Sequence, residues 1–195
     1  MRERRLLAFV TIFFGFAMTA WTQNLPSWEL FGGYSAQHLE MRQYFHQTPA
    51  IYNSRDRDTT LSGVEFSATE NKNRYLGGTF DFAYHLRNPV IGGVKNQQRV
   101  YTVMYGPRFS FLRSAFAHVL MGVSYDRVAV TPVGPHSSDL SFAMAIGGGY
   151  DVRIWKRSAI RVLQADYFRS SNLLTSQPNG FRAAAGWVWN LGEHR

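Results

Sequence analysis

The 195-residue chain contains no cysteine. That absence excludes a disulfide scaffold, a thiolate zinc site, an iron–sulfur centre and a cysteine nucleophile together, and leaves any metal chemistry to histidines and carboxylates. Charge is also sparse. Asp, Glu, Lys and Arg make up 17% of the residues, against ~25% in ordinary soluble domains, which argues against a charge-rich coiled coil and against disorder. The length suits one domain, or one domain behind a processed leader, and leaves no room for a large multidomain enzyme. What the chain does have is aromatic: Phe, Tyr and Trp reach 15%, beside 17 glycines. Its formal net charge of +8 and isoelectric point near 10.0 admit nucleic acid or anionic lipid as partners.

Residues 1–22 have the pattern of a secretory signal. Arg2, Arg4 and Arg5 form a basic start, and Leu6 to Phe16 is an apolar run. Eleven residues at ~1.5 Å each cannot cross a ~30 Å hydrocarbon core, so the segment reads as a leader and not as an anchor. Cleavage is placed between 20 and 23, since Met18 disturbs the small-x-small rule for a cut after Ala20 and Thr22 is a poor final residue for a cut at Gln23. The leader holds three Arg and one Glu, a net +2, so 8 − 2 leaves +6 on the mature segment, 23–195.

Beyond the leader the helical period is missing and a period of two recurs. Eight segments carry it: Trp28–Gln37, Thr60–Thr69, Arg74–His85, Arg99–Phe111, Ala115–Tyr125, Asp139–Arg153, Ala159–Phe168 and Phe181–Leu191. Each is near or above the ~9–11 residues that a tilted strand needs to span a bilayer. One face of each is apolar, as in Leu76, Phe80, Phe82, Tyr84 or Phe181, Ala185, Trp187, Trp189, Leu191. The opposite face is small and polar, as in Gly77, Thr79, Asp81 or Ala143, Ala145, Gly147, Gly149, Asp151.

Alternation alone does not say which face turns inward, because a lipocalin points its apolar face at a cavity. Residue size decides it. A water-facing surface has no need of Gly and Ala, whereas the interior of an eight-stranded barrel is just wide enough to be filled by small side chains beside a few charges. The connections agree: 70–73, 112–114 and 154–158 are short, and 38–59, 86–98, 126–138 and 169–180 are long. Short periplasmic turns alternating with long outer loops are the asymmetry of an outer-membrane barrel with both termini in the periplasm. Trp28, Tyr84, Tyr125, Tyr150, Tyr167 and Trp189 lie near strand ends, as an interfacial aromatic girdle requires. A β-sandwich with an aromatic core is the weaker competing architecture.

The residues resemble the small outer-membrane barrels of the OmpA and OmpX type, in the porin-like bacterial barrel family. The likeness is carried by Trp28-Glu29-Leu30-Phe31-Gly32-Gly33-Tyr34-Ser35, Tyr105-Gly106-Pro107-Arg108-Phe109-Ser110, Ala145-Ile146-Gly147-Gly148-Gly149-Tyr150-Asp151 and Gln164-Ala165-Asp166-Tyr167. It runs the length of the chain after the leader. The resemblance implies that the last strand, with Gly186, Trp189 and Leu191, is the insertion signal read by the barrel-assembly machinery, although Gly192-Glu193-His194-Arg195 stands where such proteins often end in Phe. Peptidoglycan tethering, as in longer members, is not implied.

Catalytic and metal-binding patterns are thin. His38, His46, His85 and His136 are assigned to loops or the outer rim, and only His118 to an inward strand position. None has ligand spacing. Asn53-Ser54-Arg55-Asp56-Arg57-Asp58 lacks the turn glycine and closing glutamate of a calcium loop. By resemblance, lipid A-modifying enzymes on eight-stranded barrels use Ser with His near the outer leaflet. His136-Ser137-Ser138 imitates such a pair without a fixed orienting carboxylate. Gly147-Gly148-Gly149 precedes no helix, so it is read as a bend or close strand crossing and not as a phosphate cradle.

The expectation is therefore an all-β, eight-stranded antiparallel up-and-down transmembrane barrel in a bacterial outer membrane, with structural or surface-interaction work done by its loops and without catalysis. A lipid A-modifying enzyme and a narrow pore for small solutes are the alternatives. No cofactor or metal is expected, nor nucleic acid, and the partners are outer-membrane lipid and lipopolysaccharide. Sequence does not name the loop partner. Parity puts Glu65, Asp81, Arg108, Asp166 and Arg182 on the inner face, where Asp166 and Arg182 share one level and Arg108 has Glu29, Asp151 or Glu65 within reach.

Overall fold

The period-two pattern is realised as nine antiparallel strands. In the computed structural model they are β1 (Trp28–Glu40), β2 (Asp58–Asn71), β3 (Leu76–Arg87), β4 (Val90–Ile91), β5 (Val94–Phe111), β6 (Ala115–Thr131), β7 (His136–Trp155), β8 (Ser158–Ser171) and β9 (Asn179–Leu191). The structure describes residues 26–40, 58–87, 90–91, 94–111, 114–131, 136–171 and 179–192. The leader, its cleavage region and nearly all of the calcium-like stretch lie outside these.

Eight strands close into an up-and-down barrel. Sequence neighbours pair throughout, and β1 joins β9 from Trp28↔Leu191 to Glu40↔Asn179. Across the two-residue β4, β3 joins β5 from Leu76↔Phe109 to Arg87↔Gln98. β4 folds back only on the start of β5, through Val90↔Lys95 and Ile91↔Val94. Closure leaves no barrel strand with an unpaired edge, the condition for backbone polar groups to sit in hydrocarbon.

All eight expected segments are strands, but several run further than their patterns suggested. β6 continues to Thr131 and β7 begins at His136, paired as far out as Ala129↔His136. The expected loop 126–138 therefore shrinks to 132–135, and the strict alternation of short and long links breaks there. The aromatic residue at Tyr125 had suggested a strand end. Instead it marks a level on the wall, and the strand carries on past it through Val128 and Val130, whose β-branched side chains favour extended backbone. At the other end Asn73 shapes the β2–β3 turn: its Oδ1 accepts from the backbone N–H of Tyr75 and Leu76 at 2.8 and 2.9 Å.

One irregularity changes which residues face inward. On β8, Arg161 pairs with Gly186 but Gln164 pairs with Ala184, and against β7 the register shifts at the same place. Val162 is the extra residue, a β-bulge, so Val162 and Leu163 both point outward, 55% and 53% exposed. Strict alternation puts Arg161 on the outer face with Leu163; the bulge turns it inward, where it is 2% exposed.

The bulge is directly testable. Val162→Arg and Leu163→Arg should each lower folding stability in lipid vesicles, by ~1–4 kcal/mol depending on depth. If one of the two is tolerated like a lumen substitution, the bulge is not there.

Candidate functional site: a braced interior inside an aromatic wall

The outer wall is apolar because every second side chain leaves the barrel. Phe66, Tyr105, Met121, Phe142, Phe181 and Trp189 all stand exposed on it. Burying such a surface stabilises by ~25 cal/mol per Å², and only a lipid environment covers it while leaving the lumen polar. Aromatic rings gather towards its two ends. Tyr84, Tyr101 and Tyr125, opposite one another on β3, β5 and β6, have centroids 4.8 and 6.3 Å apart. At the turn end Trp155, Trp187 and Trp189 are spaced at 5.9 and 6.4 Å.

Inside, charged groups form two tiers. Arg182 on β9 is the hub of the first. Its Nη1 donates to Asp81 Oδ1 at 2.8 Å, its Nη2 to Asp166 Oδ2 at 2.8 Å, and its Nε lies 3.4 Å from Glu65 Oε2. Asp166 is directly opposite Arg182 in register, and its Oδ1 meets His118 Nε2 at 2.8 Å. Glu65 also accepts from Ser35 Oγ at 3.2 Å, and Ser35 lies 3.0 Å from His85 Nε2.

The second tier sits nearer the turn end. Arg108 Nη1 is 2.7 Å from Glu29 Oε2 and its Nη2 3.5 Å from Asp151 Oδ2. Of the three acids expected within its reach it thus faces Glu29 and Asp151, not Glu65. Arg161 grips Asp151 with two bonds, Nε to Oδ1 at 2.8 Å and Nη2 to Oδ2 at 3.1 Å. Both guanidinium groups lie over the Phe116 ring, 4.0 and 4.4 Å from its centroid, and Arg161 also lies 4.4 Å from that of Phe31. Buried cation–π contacts of this kind contribute ~2 kcal/mol. Gln164 joins the tiers: Arg161 Nη1 donates to its Oε1 at 2.8 Å, and its Nε2 donates to Glu65 Oε1 at 2.7 Å and Asp166 Oδ2 at 3.0 Å.

Glycine makes room for this packing. A Cβ on Gly147 would run into Asp166 Oδ1, and one on Gly149 into the Phe116 ring. The triple glycine lies within β7, where its neighbouring strands approach so closely that a Cβ on Gly147 or Gly148 would also meet the backbone carbonyl of Ala165 or Phe116. Two further expectations are corrected. His85 is not at the rim but fully buried within β3. The inner face is not uniformly small and polar, since Leu61, Val100, Met104, Leu120 and Phe168 form a buried apolar cluster beside the charges.

Among the described residues no three His, Asp or Glu side chains are arranged to hold a metal ion. His136 and Ser137 are consecutive residues of β7, not members of a loop. In the last strand Gly186 faces Gly33 across the β1–β9 seam, while Trp189 and Leu191 point outward.

A closed eight-stranded barrel with a charged lumen and an apolar wall is the fold of the small outer-membrane barrels, and it places this chain in a membrane. Among solved structures it is similar to Ail, the attachment invasion locus protein of Yersinia pestis, at TM-score 0.61 and 15% identity, over 84% of this chain and 99% of that one. That Ail structure holds the heparin analogue sucrose octasulfate. Neisserial surface protein A is similar at TM-score 0.54 and 9% identity, over 85% of this chain and 97% of that one. At such identities the likeness is one of fold. No protein-family model matches the chain, and no curated protein matches it.

The hub gives a double-mutant test. Arg182→Met leaves Asp81, Asp166 and Glu65 together without their cation and should cost ~3–5 kcal/mol in urea unfolding. Adding Asp166→Asn should return part of that loss. Additivity of the two changes within ~0.5 kcal/mol would mean that trapped water, not Arg182, balances these carboxylates.

Proposed function

We propose that the chain is a non-catalytic protein of the bacterial outer membrane whose work is done at the outer ends of its strands and in its loops, in contact with outer-membrane lipid and lipopolysaccharide. The observation that carries this reading is the filled lumen. The space bounded by Ser67, Thr79, Asp81, Arg108, His118 and Gln164 has no room for a water molecule, and Asp81, Arg108, His118 and Gln164 are each tied to a charged partner, Arg182, Glu29, Asp166 and Glu65 in turn. A narrow pore needs a continuous water path, and a barrel of eight strands filled in this way offers none. An enzyme of the lipid A-modifying kind needs a serine and a histidine converging on one point at the rim, whereas His136 and Ser137 follow one another along a strand. With an even number of strands, both ends of the barrel chain lie on the periplasmic side, and the β1–β2 link, 41–57, lies outside. Gly186, Trp189 and Leu191, in the last strand, are the signal offered to the barrel-assembly machinery.

In planar bilayers the refolded barrel should show no single-channel steps; regular conductance would favour the pore. Epitope tags within 41–57 should be labelled on intact cells, and tags within 72–75 only after the outer membrane is opened. The reverse pattern would turn the barrel over and remove the surface reading.

A further inference from the structure

On the outer face of β5 and β6, immediately beyond the Tyr84–Tyr101–Tyr125 row, Arg99 and Arg127 stand directly opposite each other. Leu86 and Ser138 complete that row on either side. Both arginines share the parity of outward Tyr101, Val103, Tyr125 and Val123, so they point away from the lumen. Like charges in directly opposed strand positions repel. Among the described residues neither arginine forms an ion pair; Arg99 only donates Nη2 to Gln97 Oε1 at 3.0 Å. The charges of the two interior tiers, by contrast, are each met by an opposite charge.

We propose that Arg99 and Arg127 form a clamp for the phosphate of a lipid in the outer leaflet. Opposed strand positions place two Cβ atoms ~4.5–5.5 Å apart, close enough for two guanidinium forks to converge on one anion. Arginine's planar donors match phosphate oxygens in pairs. Height selects the source. Tyrosine rings settle at the level of the lipid headgroups, and one step further out along the same face lies the layer where lipid-borne phosphate is concentrated and apolar chains are absent. The bound anion would turn the repulsion into a bridge between β5 and β6.

This inference rests on the outer-membrane reading above, and its test separates the two. The mature barrel would be refolded into phosphatidylcholine vesicles containing lipid A that either keeps or lacks its phosphates, then extracted and weighed with its bound lipid by native mass spectrometry. The wild type should retain the phosphorylated lipid and not the phosphate-free one. Arg99→Gln with Arg127→Gln should reduce retention at least ~10-fold, and the corresponding double change to Lys should keep part of it, because charge survives while the paired donors do not. Arg153→Gln, an exposed arginine at the turn end, should change nothing. Equal retention by the Gln double variant overturns the clamp, provided its heat-modifiable gel mobility is that of a folded barrel. Complete displacement of the lipid by millimolar inorganic phosphate overturns the lipid as the source. Failure of the wild type to insert into vesicles at all overturns the membrane reading itself and the clamp with it.

Discussion

A sheet that meets hydrocarbon on one side can leave no backbone N–H or C=O unpaired, and each one that is left costs several kcal/mol. Everything else in this molecule follows from closing the ladder. Closure at eight strands fixes a lumen only one or two side chains across, and such a lumen must be filled by the chain itself. Filling it with charges alone would be costly, because desolvated ions need complete pairing. The chain uses a mixture: Leu61, Met104, Leu120 and Phe168 pack as an apolar plug, while Arg108 and Arg161 are held both by carboxylates and by the faces of Phe31 and Phe116. Glycines at 147 and 149 are the complement of these large groups, since a barrel of fixed girth admits a big side chain only where its neighbour is small.

The wall obeys a different rule. Its residues need only be apolar at mid-height and aromatic or basic towards the ends, so its sequence is loosely specified, whereas each interior residue has particular partners. Pro107 illustrates the tolerance of the ladder itself. It lacks an N–H, and the β5–β6 pairs stop at Tyr105↔Met121 and resume at Arg108↔His118 in the same register. A single interruption is absorbed because β3 still pairs with the other side of the strand, through Gly78↔Pro107.

The eight strands were legible because period two is strong wherever one side is lipid and the other is lumen. What the pattern hid has two physical causes. Strand length was underestimated at Tyr125 because aromatic residues mark the membrane surface, and β-structure does not have to stop there; the Asp126–Thr131 stretch continues the ladder with β5, and as far as Ala129 with β7. Arg161 was missed because parity counts assume one residue per step, and a bulge inserts an extra one. The trace it leaves in sequence is Val162-Leu163, two aliphatic residues in succession, but Ala159-Ile160 and Tyr167-Phe168 on the same strand are successive apolar pairs too, so the pattern does not single it out. The partners of Arg182 were only partly legible: its neighbour Asp166 follows from adjacent strands, but Asp81 and Glu65 reach it across the lumen, a distance that no local pattern encodes.

The interior braces draw on all eight barrel strands, from Glu29 on β1 through Glu65, Asp81, Arg108, His118, Asp151 and Gln164 to Arg182 on β9. In order of synthesis the carboxylates Glu29, Glu65 and Asp81 come early, and the guanidinium that gathers the central acids comes last among the described interior charges. A barrel short of its last strand would therefore hold the central acids Glu65, Asp81 and Asp166 with no guanidinium among them, even though Glu29 already has Arg108. Its final hairpin delivers both the closing seam and the missing positive charge, so the last strand to arrive is the one that locks the lumen.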